Sequence, residues 1–196
     1  MIRCVVIGII FNFSMVFSML KPIDGAELNY LHVLFEWSQI EDASEYKFQL
    51  STDESFSTLI SSSTTESLIH IDTESLSWNE TYYWRVRANY QNGTIGDWLD
   101  EYTFTILSSI TSADITLHNE NLYQDGVTFL GSLDGNFSAS FDKNGNEIWN
   151  TQDNNIIMYN TNMMGELYGC EYDNSLEYSY PAFEFNLDFE FIWEEP

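Results

Sequence analysis

Positive charge is scarce in this sequence. Its 196 residues contain 6 Lys and Arg against 31 Asp and Glu, which gives a formal net charge of −25. Proteins that bind nucleic acid or anionic lipid use Lys and Arg to contact phosphate, so we expect no nucleic-acid partner. The acidity has two readings, cation binding and solubility in a salty medium. Because the carboxylates are spread along the chain rather than clustered, solubility is favoured.

Cysteine is almost absent, with 2 residues. Cys4 lies in an N-terminal segment that we expect to be removed, and Cys170 alone cannot form an internal disulfide. Cys170 alternates with aromatic residues as a core position of a strand does, and the nearest histidine in the sequence is His118. We interpret Cys170 as a buried, unreactive thiol rather than a nucleophile.

A long apolar run occurs only at the N-terminus. It covers residues 4–17, follows Arg3, and ends in small or modest residues at the positions that a signal peptidase inspects. These features predict a secretory signal over residues 1–18. A membrane anchor is the alternative, but it needs about 20 apolar residues and Lys21 interrupts the run too early. We therefore expect a secreted, periplasmic or cell-surface protein that leaves the membrane after signal cleavage.

Aromatic residues are plentiful, at 16% of the chain, and they occur in Thr/Tyr/Phe/Trp/Ile runs separated by turn residues. Such runs favour strands, and no helical period of 3.6 residues appears after the N-terminal segment. We predict an all-β protein. Its first domain covers residues 20–107, where apolar residues alternate in four runs, at 31–37, 45–50, 67–71 and 81–88.

This first domain resembles a fibronectin type III domain. The residues that carry the resemblance are Pro22, Phe35, Trp37, Tyr46, Leu76, Tyr82, Arg85, Arg87, Trp98, Tyr102 and Phe104. The resemblance implies a seven-stranded sandwich with Trp37 in its core. It also implies that the Tyr82 hydroxyl bonds to nearby backbone, as in a tyrosine corner. Domains of this type act as spacers or as binding surfaces, here for a glycan or a protein.

Several polar and aromatic residues of this domain have two readings each. His32 and His70 alternate with the apolar face of predicted strands, so we interpret them as solvated residues rather than metal ligands. Arg85 and Arg87 are expected to pair with nearby carboxylates. Two tryptophans could form a sugar-stacking surface, but hydrophobic plugs in loops are the commoner reason for such residues; they are Trp78 and Trp98.

A short polar stretch at 108–114 is the predicted linker to a second region, 115–196. There Phe141, Ile148 and Trp149 recur 44 positions later, at 185, 192 and 193. A period of about 40–45 residues in β-type sequence is typical of propeller blades. A propeller needs at least about four blades to close. Because the chain ends three residues after the second Trp, we expect an incomplete propeller of about two blades, part of a larger protein.

The turns of the second region do not form a recognisable metal site. Asp142 to Gly145 is predicted to be a hairpin turn, with Asn144 and Gly145 supplying positive φ values. Its acidic and amide residues suggest calcium, but the glycine falls at the fourth position, where an EF-hand loop needs it at the sixth. We therefore identify no catalytic, cofactor-binding or metal-ligating residue and expect no cofactor.

The second region resembles the start of a bacterial arylsulfotransferase. The resemblance is carried by the strand at 125–131, the hairpin from Asp142 to Trp149, the strand at 165–167 and the hairpin ending at Trp193. Members of this family are exported propellers that move a sulfuryl group between phenolic esters through a histidine intermediate. Their catalytic histidines belong to later blades, so the resemblance gives His118 no role.

Two functions are therefore expected from the sequence. The first is the N-terminal portion of an exported arylsulfotransferase-like protein, non-catalytic by itself, with phenolic substrates only for the full-length parent. The alternative is a secreted binding or adhesion module. We also expect residues 20–107 to fold alone, and the alternating Phe residues from Phe183 to Phe191 to leave an exposed apolar edge.

Overall fold

The computed structural model describes residues 20–116, 119, 126–163, 165–171 and 181–194. These residues form 14 strands and no helix, which confirms the all-β prediction. Within the described residues no helix is long and apolar enough to cross a membrane. The predicted signal segment and His118 lie outside the described residues.

The first seven strands form a two-sheet unit, called here the sandwich. One sheet has the order β1-β7-β6-β3-β4 and the other pairs β2 with β5. β1 runs parallel to β7, and the other pairs are antiparallel. The strands are β1 (Ala26–Leu28), β2 (Val33–Glu36), β3 (Ala43–Ser51), β4 (Leu59–Thr65), β5 (Ile69–Asp72), β6 (Thr81–Tyr90) and β7 (Tyr102–Ile106).

The core of the sandwich follows from alternation along its strands. On β6 every second residue, from Tyr82 to Ala88, is buried, because successive side chains of a strand point to opposite faces. Phe35 packs with ring centroids 4.8 Å from Phe48 and 5.4 Å from Trp84. Trp37 is also buried, as expected. Each such side chain contributes about 1.5–3 kcal/mol through burial of apolar surface.

The remaining strands form a second unit, called here the two-sheet region. It contains a three-stranded sheet, β10-β9-β8, and a four-stranded sheet, β11-β12-β13-β14. All pairs are antiparallel. The strands are β8 (Thr128–Ser132), β9 (Phe137–Phe141), β10 (Glu147–Asn150), β11 (Ile156–Thr161), β12 (Leu167–Glu171), β13 (Ala182–Phe185) and β14 (Phe191–Glu194).

The two sheets of this region approach each other closely and share a core. Gly131 on β8 lies so near β11 that a Cβ added there would be 2.1 Å from the carbonyl oxygen of Met158. The buried residues of this core are Trp149, Ile156, Met158, Leu167, Phe183 and Phe185. The expectation of an exposed apolar edge is therefore wrong for Phe183 and Phe185, although Phe191 is exposed. Trp149 donates a hydrogen bond from Nε1 to the carbonyl oxygen of Leu187, 3.1 Å away.

The 44-residue repeat corresponds to two hairpins with the same register. In the first, Phe141 pairs with Glu147 and Ser140 pairs with Trp149, so Ile148 is the extra residue of a β-bulge. In the second, β13 and β14 show the same slip, at Ile192. The repeated Phe, Ile and Trp therefore occupy equivalent places in a bulged hairpin.

Three turns of the two-sheet region share one conformation. They begin at Asp142, Asn162 and Asn186, and the side-chain oxygen of each accepts the backbone N–H four residues later at 2.9–3.2 Å. The fourth residue has a φ of +84°, +85° and +59°, respectively. In the first turn the positive φ belongs to Gly145 and not to Asn144, so the expectation that Asn144 shares it is wrong.

Candidate functional site

The sandwich and the two-sheet region meet along a hydrogen-bonded seam. The backbone N–H of Leu31 donates to the carbonyl oxygen of Ile148 at 2.9 Å, and the N–H of Asn150 donates to the carbonyl oxygen of Asn29 at 3.1 Å. The segment 108–114 is part of the seam, because Gln152 Nε2 donates to the carbonyl oxygen of Ser108 at 2.7 Å. These hydrogen bonds hold the sandwich and the two-sheet region together along the seam.

A cleft of about 580 Å³, called here the seam cleft, opens beside this contact. Its apolar side is formed by Ile23, Leu28 and Leu34 of the sandwich. The opposite side is formed by two of the three equivalent turns, at 165–166 and 186–190. A volume of this size is typical of small-molecule sites.

The charged groups of the seam cleft are mainly carboxylates. Glu166, Asp188 and Glu190 come from the turns, and Glu27 comes from β1, whereas Lys21 is the one lysine among the described residues of the lining. Burial lowers the pKa of His32, which also lines the cleft, more than nearby Asp142 and Asp72 raise it. The histidine therefore stays neutral near pH 7 and adds no positive charge.

Tyr30 joins the two sides of the seam cleft. Its hydroxyl donates to Oδ1 of Asp188 at 2.6 Å, across 158 positions of sequence. Burial, followed by this hydrogen bond, raises the pKa of Tyr30 far above its usual value. The hydroxyl therefore remains a donor over the whole working pH range, and the bond holds the turn at 186–190 against the sandwich.

A second groove, of about 600 Å³, lies along the seam and includes Trp78, Asp142 and Glu147. Trp78 Nε1 donates to the backbone carbonyl of Glu147 at 3.1 Å, and Oε2 of Glu147 accepts the N–H of Ile110 at 3.0 Å. Glu147 is 4% exposed, and its Oε1 has no hydrogen-bond partner among the described residues. Burial raises the pKa of this carboxyl, and the hydrogen bonds from the linker only partly oppose the effect.

Both histidines of the sandwich are half-buried, so the prediction that they are solvated is wrong. The His70 ring lies 4.4 Å from the Phe48 ring. β5 turns His70 and Asp72 inward and leaves Ile69 and Ile71 exposed, because Phe35 and His70 are directly paired across β2 and β5. Burial lowers the pKa of His70.

The arginines and tryptophans are engaged within the chain. Arg85 forms an ion pair with Glu101 at 2.9 Å, as expected. No carboxylate of the described chain lies within ion-pair distance of Arg87, whose guanidinium is 4.4 Å from the Trp98 ring centroid. Arg85 lies 4.2 Å from the same ring, and Trp78 is held at the seam. The cation–π contacts and the seam contact favour the structural reading of both tryptophans over a sugar-stacking surface.

The pKa values of Cys170 and Asp142 are set by their local structural surroundings. Cys170 is half-buried rather than a core position as predicted, and partial burial raises the pKa of its thiol, so the thiolate is disfavoured. Burial also acts to raise the pKa of Asp142, but hydrogen bonds from Asn146 and Asn144 outweigh it and lower that pKa. Among the residues that the structure describes, no three His, Cys, Asp or Glu side chains converge as a metal site would require.

Comparison with known proteins gives little further information. No family model and no curated protein matches the chain. Among solved structures, an alpha-L-rhamnosidase from Dictyoglumus thermophilum aligns with a TM-score of 0.36 and 12% identity. The alignment covers 61% of this chain but only 15% of the rhamnosidase. Similarity at this level carries no conclusion about fold family or activity.

Proposed function

We propose that this chain is the N-terminal portion of an exported arylsulfotransferase-like protein, in which the two-sheet region supplies the first blades of a propeller. The observation that carries the proposal is the 44-residue hairpin repeat, with its shared bulge, beside a four-stranded sheet of consecutive antiparallel strands. Propeller blades are four-stranded sheets of this kind, repeated around an axis.

The two repeated tryptophans add to this argument. Trp149 is 1% exposed, because the following hairpin covers it through Leu187 and Phe189. Its equivalent, Trp193, is 51% exposed. If the repeat continues in the parent protein, the next hairpin would cover Trp193 in the way that the second hairpin covers Trp149.

The chain by itself is proposed to be non-catalytic. Sulfuryl transfer needs a nucleophile, a base and donors that stabilise an anion, all in one cleft. After Leu107 the sequence contains Lys143 as its single Lys or Arg and His118 as its single His. The phenolic substrates and the catalytic histidines would therefore belong to the full-length parent.

Two measurements test this proposal. The purified chain, incubated with a chromogenic aryl sulfate and a phenol acceptor, should release no chromophore above the uncatalysed rate. The genomic DNA downstream should continue in frame with further Trp-ending hairpins and a blade that carries His and Arg. Clear turnover by the 196-residue chain, or an authentic stop codon directly after Pro196, would overturn the proposal.

A secreted binding module of fibronectin type III kind is the second candidate. The five- and two-stranded sheets support it, as does Tyr82, whose hydroxyl accepts the N–H of Ser77 at 2.8 Å. The outer face of the β2–β5 sheet exposes Leu34, Ile69 and Ile71, which suits contact with a protein surface. The test is to immobilise the chain and ask whether it retains a protein from the native host. Retention that is lost in Ile71→Ser but kept in Thr64→Ala would favour this candidate.

A further inference from the structure

We propose that the seam cleft binds an organic cation with an apolar body. The inference rests on the geometry and charge of the cleft alone and does not depend on the proposed function. The sandwich contributes most of the apolar lining, together with Lys21 and Glu27, and the two repeated turns contribute three carboxylates, together with Leu187. A ligand that matches both sides carries an ammonium group at one end and a ring or branched chain at the other.

The apolar side offers surface that a ligand could bury. Ile23 and Leu34 are exposed, although both lie in a concave cleft beside the buried Leu28. Covering them with an aromatic or branched aliphatic group would remove their surface from water, which is the main favourable term in binding of apolar ligands. About 580 Å³ accommodates a two-ring compound.

The acidic side is held in place by neutral donors. Asn162 Nδ2 donates to Oε2 of Glu166 at 2.6 Å, and Asn186 Nδ2 donates to Oε2 of Glu190 at 2.7 Å. The third carboxylate, Asp188, accepts the Tyr30 hydroxyl. These bonds orient the three carboxylates without neutralising them, and Lys21 is the one cationic side chain of the described lining, so the site keeps a net negative charge.

The charge balance of the cleft excludes an anionic ligand. Four carboxylates line it against one lysine, and Lys21 forms no ion pair with a carboxylate of the described chain. His32 is neutral near pH 7, as argued above. The net charge of −25 on the whole chain adds an attraction for cations and a repulsion for anions. An ammonium group is therefore the charged end that this site selects.

Three indoles with a common ring and different charges test the proposal directly. Tryptamine carries an ammonium group, tryptophol is neutral, and indole-3-acetate carries a carboxylate. Ligand-observed NMR and titration calorimetry with the full chain should show tryptamine binding about ten-fold more tightly than tryptophol, because the ammonium faces several carboxylates. Indole-3-acetate should not bind. The preference for tryptamine should fall as salt is raised, because salt screens exposed charges.

Single-charge variants place the effect in the cleft. Glu166→Gln and Glu190→Gln should each weaken tryptamine binding by about three-fold, as expected for one exposed ion pair, and should leave tryptophol binding unchanged. Glu41→Gln, in the β2–β3 connection and outside the cleft lining, removes the same charge and should change neither ligand. An unchanged melting temperature in each variant shows that the fold is intact.

Three results would overturn the proposal. Tryptophol binding as tightly as tryptamine would mean that the acidic side selects nothing. Equal losses in Glu41→Gln and Glu190→Gln would mean that only the overall charge of the chain attracts the amine. The absence of binding by all three indoles at millimolar concentration would mean that the cleft is only a seam between the two units.

Discussion

The two repeated hairpins of the two-sheet region share a register but differ in their surroundings. The first hairpin, 141–149, contacts the sandwich through Glu147 and the second hairpin through Trp149. The second hairpin, 185–193, contacts the sandwich through Asp188, which accepts the Tyr30 hydroxyl, but no further hairpin covers it among the described residues: Phe191 and Trp193 are 56% and 51% exposed. Phe191 occupies the position that Glu147 has in the first hairpin.

The comparison separates what a hairpin specifies from what its neighbours supply. The bulge and the turn form in both copies, so they are local properties of the sequence. Burial of the tryptophan occurs in one copy, so it depends on the element that packs against it. A propeller is built in this way, because each blade covers the face of the one before it.

The largest expected effect comes from truncating the covered tryptophan. Trp149→Ala should destabilise the chain by about 3–5 kcal/mol, because it removes a buried ring and leaves a cavity between the two sheets. Trp193→Ala is the matched variant and should cost less than about 1 kcal/mol, since its ring is half exposed. Urea unfolding of both variants measures the difference. Equal costs would show that Trp193 is buried in solution by an element or a partner outside the described residues.

A second prediction concerns the close approach of the two sheets that bury Trp149. Gly131→Ala should destabilise the chain by about 1–3 kcal/mol, because the added methyl group would overlap the carbonyl oxygen of Met158 and the ladder must shift. Thr128→Ala, at an exposed position of the same strand, is the control and should have a small effect. A harmless Gly131→Ala would mean that β8 and β11 are not in contact.

How far the sequence predicts this fold depends on the range of the interactions. The period of two on β6 placed Tyr82, Trp84 and Val86 in the core, because that pattern lies within one element. It failed for β5, where the isoleucines point outward and His70 points inward, because the inward face is set by pairing with β2. Alternation along a strand defines two faces but does not say which face is buried. The strand that pairs with it decides that.

The seam cleft could not be predicted at all. Its lining comes from residues 21–34 and 165–190, which are far apart in the sequence, and no motif joins them. An Asp or Asn followed four positions later by Asn or Glu occurs at all three turns, at 142, 162 and 186, but it also occurs elsewhere in the sequence, for example at 97 and 146. The pattern therefore does not single out the turns, and it does not show that two of them face the sandwich.

The third prediction tests how the sandwich covers the first hairpin. Burial raises the pKa of Glu147 above its unfolded value. This group therefore favours the folded state fully below the unfolded pKa, and the contribution is lost as pH rises through the folded pKa. Glu147→Gln removes that dependence while Gln can still accept the Ile110 N–H, so its stability relative to the wild type should rise with pH.

The measurement is urea unfolding of wild type and Glu147→Gln at several pH values from about 4 to 8, spanning the ordinary glutamate pKa and above. Glu54→Gln, an exposed position, corrects for the loss of one negative charge. A constant difference between Glu147→Gln and wild type across this range would show that the carboxylate is solvated and that the seam is open at that point.

The smallest expected effect distinguishes the two hairpins at their turns. Phe189 has a φ of +59° where the equivalent residues are Gly145 and Gly165. A side chain in this left-handed region costs about 1–2 kcal/mol, which glycine avoids. Phe189 tolerates the cost because its ring stacks on Phe185, with centroids 6.1 Å apart, and covers Trp149.

Both Phe189→Ala and Phe189→Gly lose these ring contacts, but only the glycine also relieves the backbone. We therefore expect Phe189→Gly to be more stable than Phe189→Ala by about 1 kcal/mol, the reverse of the usual order in a strand. Phe191 lies two residues later on β14 without a positive φ, and there glycine should be worse than alanine. Urea unfolding of the four variants gives both orders. If alanine is the better residue at both positions, the turn at 186–190 does not share the conformation of the other two.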